Sequence, residues 1–316
     1  HALAPCFNIQ NKEKTLIFTL DGEGSGLCAS VNIYEENSLT TISKSRKSAS
    51  IGYLYAISTI FLGLKPLEHE FKVMGLAPYA KEHYIKKIYD KFKELIWINE
   101  SLEFESKFNM TFADHFLSKE MKFVRFDAIA GAIQKLSEDL SCKWIIGWIE
   151  KTGIHNIALS GGVFMNVKIN QKISEMPEVK KIFIMPSCGD ESNAIGACFY
   201  GYKKYCLENN IEFKPNPIRD LYLGPEYNNN YIKNFIENNQ LEKKYNIIYF
   251  NNISKEIAKL LAKGKIVARC TGKSEWGARA LGNRSILSNP SDKNSIRILN
   301  ETIKDRDFWM PFTPSI

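Results

Sequence analysis

The sequence predicts an α/β protein with two domains. Three observations point there. The chain is long for a single core, at 316 residues. Short runs of β-forming residues give way to helical periodicity several times along it. Twice a strand-like run ends in a glycine turn that opens a helix, as α/β units do.

The elements follow in order. Thr15–Leu20 is an apolar run of β-formers, and Asp21-Gly22-Glu23-Gly24-Ser25-Gly26 breaks it. Ala29–Tyr34 and Thr40–Lys44 read as further strands of a β-meander. From Ile51 to Leu62 the period becomes helical, and His69–Leu76 and Lys81–Leu95 continue as helices separated by Pro78. A long amphipathic helix is predicted from Phe126 to Thr152, with Ile129, Ile133, Leu136, Leu140, Trp144 and Trp148 on one side. Two β-turn-α units come next. In the first, strand Asn156–Leu159 leads through Ser160-Gly161-Gly162 to a helix over Val163–Ile173. In the second, Lys181–Met185 leads through Pro186–Asp190 to a helix over Ser192–Leu207. Ile211–Asp220, with Pro215 and Pro217, reads as a linker. Asn246–Phe250, Ile253–Lys263 and Lys265–Arg269 then predict strand, helix and strand of a second α/β domain.

Composition narrows the classes. Hydrophobic residues make up 44% and charged residues 24%, as in ordinary globular proteins. The net charge of +7 is spread along the chain and mixed with Glu, so nucleic-acid binding is not expected, although a mild positive field favours phosphate-bearing substrates. The seven cysteines include no C-x-x-C pair, which argues against a zinc ribbon and for reduced thiols in the cytoplasm. No apolar stretch is long enough to predict a membrane span. The first residue is His1 rather than Met and the last is Ile316, so both ends read as cut.

Four segments carry candidate chemistry. Asp21-Gly22-Glu23-Gly24 is either an ordinary hairpin or a place where backbone approaches a phosphate while the Asp holds a metal or a ribose hydroxyl. Ser160-Gly161-Gly162, with Asn166 one turn into the following helix, is either a plain turn or an anion site at a helix N-terminus. Asp190 is a metal ligand or a helix cap. Arg279 and Arg284, in a glycine-punctuated loop with Asn283, are either surface ion-pair partners or forks for an anionic ligand, with Lys304 further along. His69, His83, His115 and His155 are scattered and read as structural or surface residues.

Together these segments resemble the NodU/CmcH family of O-carbamoyltransferases. Glu70-Phe71-Lys72-Val73-Met74-Gly75-Leu76-Ala77-Pro78-Tyr79 is similar to the family's E-x-K-V-M-G-L-A-P-Y signature, and Gly272–Leu287, with Arg-Ala-Leu-Gly-Asn-Arg-Ser, to a second. Ser160–Asn166, Pro186–Ala197 and Asn300–Ile316 resemble three more, in family order. Ala278, Lys273, Phe164-Met165 and Trp309-Met310 depart from the family pattern.

The resemblance implies a partial actin/Hsp70-like (ASKHA) ATPase-like domain over residues 1–212, a linker over 213–220, and the start of a YrdC-like domain over 221–316. It implies an enzyme that uses ATP and carbamoyl phosphate to form carbamoyl-adenylate, and then carbamoylates a hydroxyl of a sugar-like or natural-product acceptor. By the same resemblance His1 and Asp190 would ligate a divalent metal, with iron first and magnesium or manganese as alternatives. The first metal histidine of the family would lie upstream of His1. Asp21, Gly22, Gly24, Lys72, Gly161, Gly162 and Asn166 would line the nucleotide. Arg279, Asn283, Arg284 and Lys304 would face carbamoyl phosphate or the adenylate. A chain cut in this way is expected to lack part of both active sites. The alternatives are a non-catalytic nucleotide-binding fragment and a tRNA-modifying threonylcarbamoyl-type ATPase. A hydrogenase-maturation carbamoyltransferase would carry zinc C-x-x-C pairs, which this sequence does not have.

Overall fold

A computed structural model describes residues 1–6, 8–9 and 13–313. The chain divides into two compact units, His1–Ile218 and Arg219–Ile316.

The first unit opens with a one-turn helix, α1 (Leu3–Cys6). Three strands follow: β1 (Thr15–Gly24), β2 (Leu27–Glu35) and β3 (Ser38–Arg46). Helices α2 (Ile51–Phe61), α3 (Glu70–Leu76) and α4 (Glu82–Lys93) come next, then a small hairpin of β4 (Ile96–Ile98) and β5 (Phe104–Ser106). After α5 (Ala113–Glu120) and the 27-residue α6 (Phe126–Thr152), the chain runs through β6 (Asn156–Ser160), α7 (Val167–Ser174), β7 (Lys181–Ile184) and α8 (Glu191–Glu208). The main sheet has the order β3-β2-β1-β6-β7. β1, β2 and β3 pair antiparallel, while β6 lies parallel to β1, with Thr19 opposite Ser160, and β7 parallel to β6. This is the α/β class expected from the sequence.

Central position explains why β1 is apolar on both faces: Leu16, Ile17, Phe18 and Leu20 are fully buried. Successive side chains point opposite ways. Ile17 packs with Cys6, Tyr34 and Ala158, against Leu3 of α1 and Phe199 of α8. Phe18 meets Trp144 of α6 edge to face at 5.0 Å. The six-residue stripe predicted on α6 is buried, but so are Ala128, Ala130, Ala132, Gln134, Ser137 and Ile145. The first half of α6 is therefore sunk in the core rather than amphipathic.

In the second unit lie α9 (Asn229–Asn238), α10 (Ile253–Ala262), β8 (Val267–Cys270), β9 (Arg284–Leu287) and α11 (Lys293–Ile298). β8 and β9 pair antiparallel.

Three expectations are corrected. β1 does not stop at Leu20 but runs to Gly24, because the Asp21–Glu23 segment is carried as an irregularity in the β1–β2 ladder. No α-helix follows Ser160-Gly161-Gly162 directly: a 3-10 turn over Gly162–Met165 intervenes and α7 begins at Val167. Asn246–Phe250 forms no strand, since nothing pairs with it among the described residues. Pro314, Ser315 and Ile316, the end of the last family-like segment, lie outside the described residues. Among the described residues, no helix is long and apolar enough to cross a membrane.

Candidate functional site

Three carboxyl and imidazole groups converge beside the carboxyl ends of β1 and β6. They come from His1, just before α1, from Asp21 of β1, and from Asp190, which precedes α8. Their ligand atoms all lie within 4.8 Å of one another. His1 Nε2 is 2.7 Å from Asp21 Oδ2 and 3.3 Å from Asp190 Oδ1. The Asp21 carboxylate also accepts from Gly22 N at 2.6 Å and from Gly162 N at 3.2 Å. Asp190 accepts from Asn193 Nδ2 at 3.1 Å and makes no side-chain cap to α8, so it does not act as the helix cap.

The site's electrostatics follow from this geometry. Burial works against a charge on His1, but the hydrogen bond to Asp21 and the negative charges of Asp21 and Asp190 win, and the imidazole pKa is raised. Burial likewise opposes the Asp21 charge. His1 and the Gly22 and Gly162 N–H groups overcome it and lower that pKa. One imidazole nitrogen with two carboxylate oxygens is a donor set that fits a first-row divalent cation. His1 Nδ1 and Ser160 Oγ are buried without a hydrogen-bond partner among the described residues, so polar capacity at this site is left unused by the fold.

The glycines divide by cause. Gly161 stands at φ 101° and ψ 149°, and a Cβ there would lie 2.4 Å from the Leu20 carbonyl oxygen. It is glycine because the turn crosses over β1. Gly22 and Gly24 differ: a Cβ at either meets nothing within 4 Å, and neither has a positive φ. Neither packing nor backbone conformation explains glycine there, and glycine inside a strand is unfavourable by about 0.5–1 kcal/mol relative to alanine.

Asn166 does not sit one turn into a helix; it caps α7, its Oδ1 accepting from Lys168 N at 3.1 Å and Ile169 N at 3.2 Å. Its Nδ2 donates to Gln134 Oε1 at 2.7 Å, and Tyr55 OH donates to the same oxygen at 3.0 Å. The Asn166 carboxamide is thus engaged by the fold. Gln134, sunk in α6, is the residue that sequence reasoning missed, since nothing in a helical period marks one buried amide as the partner of a distant cap. Lys72 is half-buried in the first turn of α3.

In the second unit, Glu275 organises the arginine loop. Its Oε1 accepts from Leu281 N at 3.0 Å, Asn283 N at 2.7 Å and Arg284 N at 2.9 Å. Burial opposes its charge, but these N–H groups outweigh it and bring the carboxyl pKa down to about 2. Asn283 Nδ2 donates to Lys273 O at 2.8 Å, so this side chain helps close the loop. Arg284 Nη1 is 3.8 Å from Glu275 Oε2. Arg279 lies in the same loop, and Lys304 lies beyond α11, its N–H donating to Leu299 O at 2.8 Å.

Comparison with known proteins adds a family. A model described as the carbamoyltransferase N-terminus matches residues 3–199, and one described as the carbamoyltransferase C-terminus matches residues 258–316. A protein of Methanocaldococcus jannaschii is 32% identical over 325 residues, covering 96% of this chain and 52% of that protein. Nodulation protein NolNO of Sinorhizobium fredii is 28% identical, covering 98% and 45%. Nodulation protein NolO of Bradyrhizobium diazoefficiens is 26% identical, covering 100% and 57%. The chain spans about half the length of the curated relatives it matches. Among solved structures, full-length HypF in the phosphate- and nucleotide-bound form is similar with a TM-score of 0.44 and 13% identity, over 62% of this chain and 41% of that one. The component A of the (R)-2-hydroxyglutaryl-CoA dehydratase of Acidaminococcus fermentans has a TM-score of 0.38 and 19% identity, over 65% of this chain and 66% of that one. With the N-terminal model alone matching residues 3–199 of 316, the chain belongs to the carbamoyltransferase family.

Proposed function

We propose that the protein carrying this chain is an ATP-dependent O-carbamoyltransferase that draws its carbamoyl group from carbamoyl phosphate and transfers it, through carbamoyl-adenylate, to a hydroxyl of a sugar-like or natural-product acceptor. The observation that carries this reading is the convergence of His1, Asp21 and Asp190 beside the Gly161–Gly162 turn, in a chain of this family.

In this reading residues 1–212 are the ATPase-like transfer domain, 213–220 the linker and 221–316 the beginning of the YrdC-like, adenylate-forming domain. His1 and Asp190 hold a divalent cation, and Asp21 stands close enough to share it. When bound, the cation supplies positive charge that orients and polarises phosphate or carbamoyl oxygens. Gly22 and Gly24 leave the hairpin backbone open to a nucleotide phosphate, and Gly162 N–H and Lys72 line the same nucleotide. Gly161 and Asn166 serve by holding the turn in shape. Arg279 and Arg284 bind the anionic oxygens of carbamoyl phosphate or the adenylate, helped by Lys304, while Asn283 and Glu275 shape their loop.

Carbamoyl phosphate gives up its phosphate to water, and an oxygen of the resulting carbamate bonds to the α-phosphorus of ATP as pyrophosphate leaves. The acceptor oxygen bonds to the carbamoyl carbon, the bond from that carbon to the adenylate oxygen breaks, AMP leaves with the electron pair, and the hydroxyl proton passes to a base. Confinement matters because water competes for the same carbon. Reduced cysteines fit a cytoplasmic setting for this chemistry.

The test is pyrophosphate release by the full-length protein given ATP and carbamoyl phosphate without acceptor. Release that needs carbamoyl phosphate and is lost in Arg279→Ala and Arg284→Ala is the expected result. ATP binding without any release would overturn the reading.

A further inference from the structure

The first turn of α2 closes on the segment that carries Asp21. That segment lacks the usual support of a strand. The β1–β2 register passes from Leu20 opposite Ala29 to Gly24 opposite Leu27, so Asp21, Gly22 and Glu23 have no ladder partners on β2. Such an irregularity re-aims side chains, and it also frees the backbone that bears them.

Ser50, the cap of α2, and Gly52 and Tyr53 of its first turn take up that freedom. Ser50 Oγ accepts from Tyr53 N at 3.0 Å, which caps α2, and donates to the Asp21 carbonyl at 3.2 Å. Gly52 lies against the same peptide: a Cβ there would be 2.8 Å from Gly22 N, 2.9 Å from the Asp21 carbonyl oxygen and 3.0 Å from the Asp21 carbonyl carbon. These are backbone atoms and cannot swing aside as a side chain would. Gly52 itself is not among the residues with positive φ, so conformation alone does not demand glycine. Tyr53 OH donates to Glu23 Oε2 at 2.7 Å.

We propose that Gly52 and Ser50 are positioning residues that set the Asp21 carboxylate against His1 and Gly162; its bearing on cation binding rests on the cation reading given above. A methyl group at position 52 must push the Asp21–Gly22 peptide away. Asp21 Oδ2 sits at the end of that peptide's side chain, with His1 Nε2 at 2.7 Å and Gly162 N at 3.2 Å, and both contacts lengthen when it moves. Alanine is a better helix former than glycine, so α2 itself is not weakened by the change.

The test uses the full-length protein, titrated with Mn²⁺ alone by calorimetry, alongside amide hydrogen exchange. Gly52→Ala is expected to weaken Mn²⁺ binding about tenfold or more, with faster exchange at Gly162 and unchanged protection within α2. Ser50→Ala is expected to act in the same direction on Mn²⁺ and Gly162, with the first turn of α2 also less protected because Ser50 caps it. A folded Gly52→Ala that binds Mn²⁺ as wild type does, with Gly162 exchange unchanged, overturns the proposal. Should Gly52→Ala fail to fold, Ser50→Ala decides: unchanged Mn²⁺ affinity and unchanged Gly162 exchange overturn it. Should the wild type bind no Mn²⁺, the cation reading fails separately and Gly162 exchange alone judges the positioning role. Faster exchange in the variants supports that role, and no change sinks it.

Discussion

Replacing Gly161 with alanine tests why the Ser160-Gly161-Gly162 turn is built of glycine. Gly161 occupies φ 101°, ψ 149°, a region essentially reserved for glycine, where another residue is strained by about 1–3 kcal/mol. The new Cβ would also stand 2.4 Å from the Leu20 carbonyl oxygen, 2.8 Å from its carbonyl carbon and 2.9 Å from its nitrogen. Those atoms belong to β1, which is locked between β2 and β6 and cannot yield cheaply. Overpacking of this sort is destabilising by about 1–3 kcal/mol. The expected loss is therefore about 2–6 kcal/mol, a large part of the 5–15 kcal/mol typical of a whole domain. Urea unfolding reads it. With a slope of about 3 kcal/mol per molar, the midpoint falls by about 0.7–2 M. Gly162→Ala is the control: its Cβ would meet Asp21 Oδ1 at 3.1 Å, a side-chain atom that can shift, so stability changes by less than about 1 kcal/mol. A Gly161→Ala midpoint within about 0.3 M of wild type would refute the claim that contact with β1 requires glycine.

Four other outcomes follow from the same geometry. Gly22→Ala and Gly24→Ala leave the urea midpoint unchanged or slightly higher, since a Cβ at either meets nothing within 4 Å, while ATP affinity drops about tenfold, a loss of about 1.4 kcal/mol; unchanged affinity would show that no phosphate uses that backbone. Asp190→Ala, at a side chain 90% exposed, changes stability by less than about 0.5 kcal/mol but removes calorimetric Mn²⁺ binding; retained binding counts against the three-residue site. Asn166→Ala removes the α7 cap and leaves Gln134 short of a partner, and the urea midpoint reports a loss of about 1–3 kcal/mol. Glu275 has a pKa lowered to about 2 in the folded state, so its contribution is complete above the ordinary glutamate range and is lost as the pH falls toward about 2. Glu275→Gln is therefore less stable than wild type at pH 7, and the gap in urea midpoints narrows below about pH 4; a gap that widens in acid would contradict this.

The elements of the first unit were largely legible in the sequence, because they rest on short-range causes. β1 is apolar at successive positions, as a central strand must be, and the stripe from Ile129 to Trp148 forecast a helix whose observed bounds are Phe126–Thr152. Asn246–Phe250 was misread because an apolar run forms a strand only where a neighbour pairs with it, and pairing is not a local property. His1 and Asp190 were named as a pair through family resemblance alone; their distance in sequence hides their closeness in space.

By itself, the sequence determined the α/β alternation, the glycine turns and the family, since each is written in local pattern or motif. Tertiary structure alone decided which glycine serves packing and which leaves open space. Gly161 and Gly22 both lie in glycine-rich runs of the sequence, yet the Leu20 carbonyl oxygen lies 2.4 Å from one Cβ position and nothing lies within 4 Å of the other. It also brought Asp21 into one cluster with His1 and Asp190, and made Asn166 the cap of α7. The physical reason is the same in each case. Sequence specifies chemical groups and short-range backbone preference, whereas packing of β1 against β6 and α2 sets the distances through which those groups act.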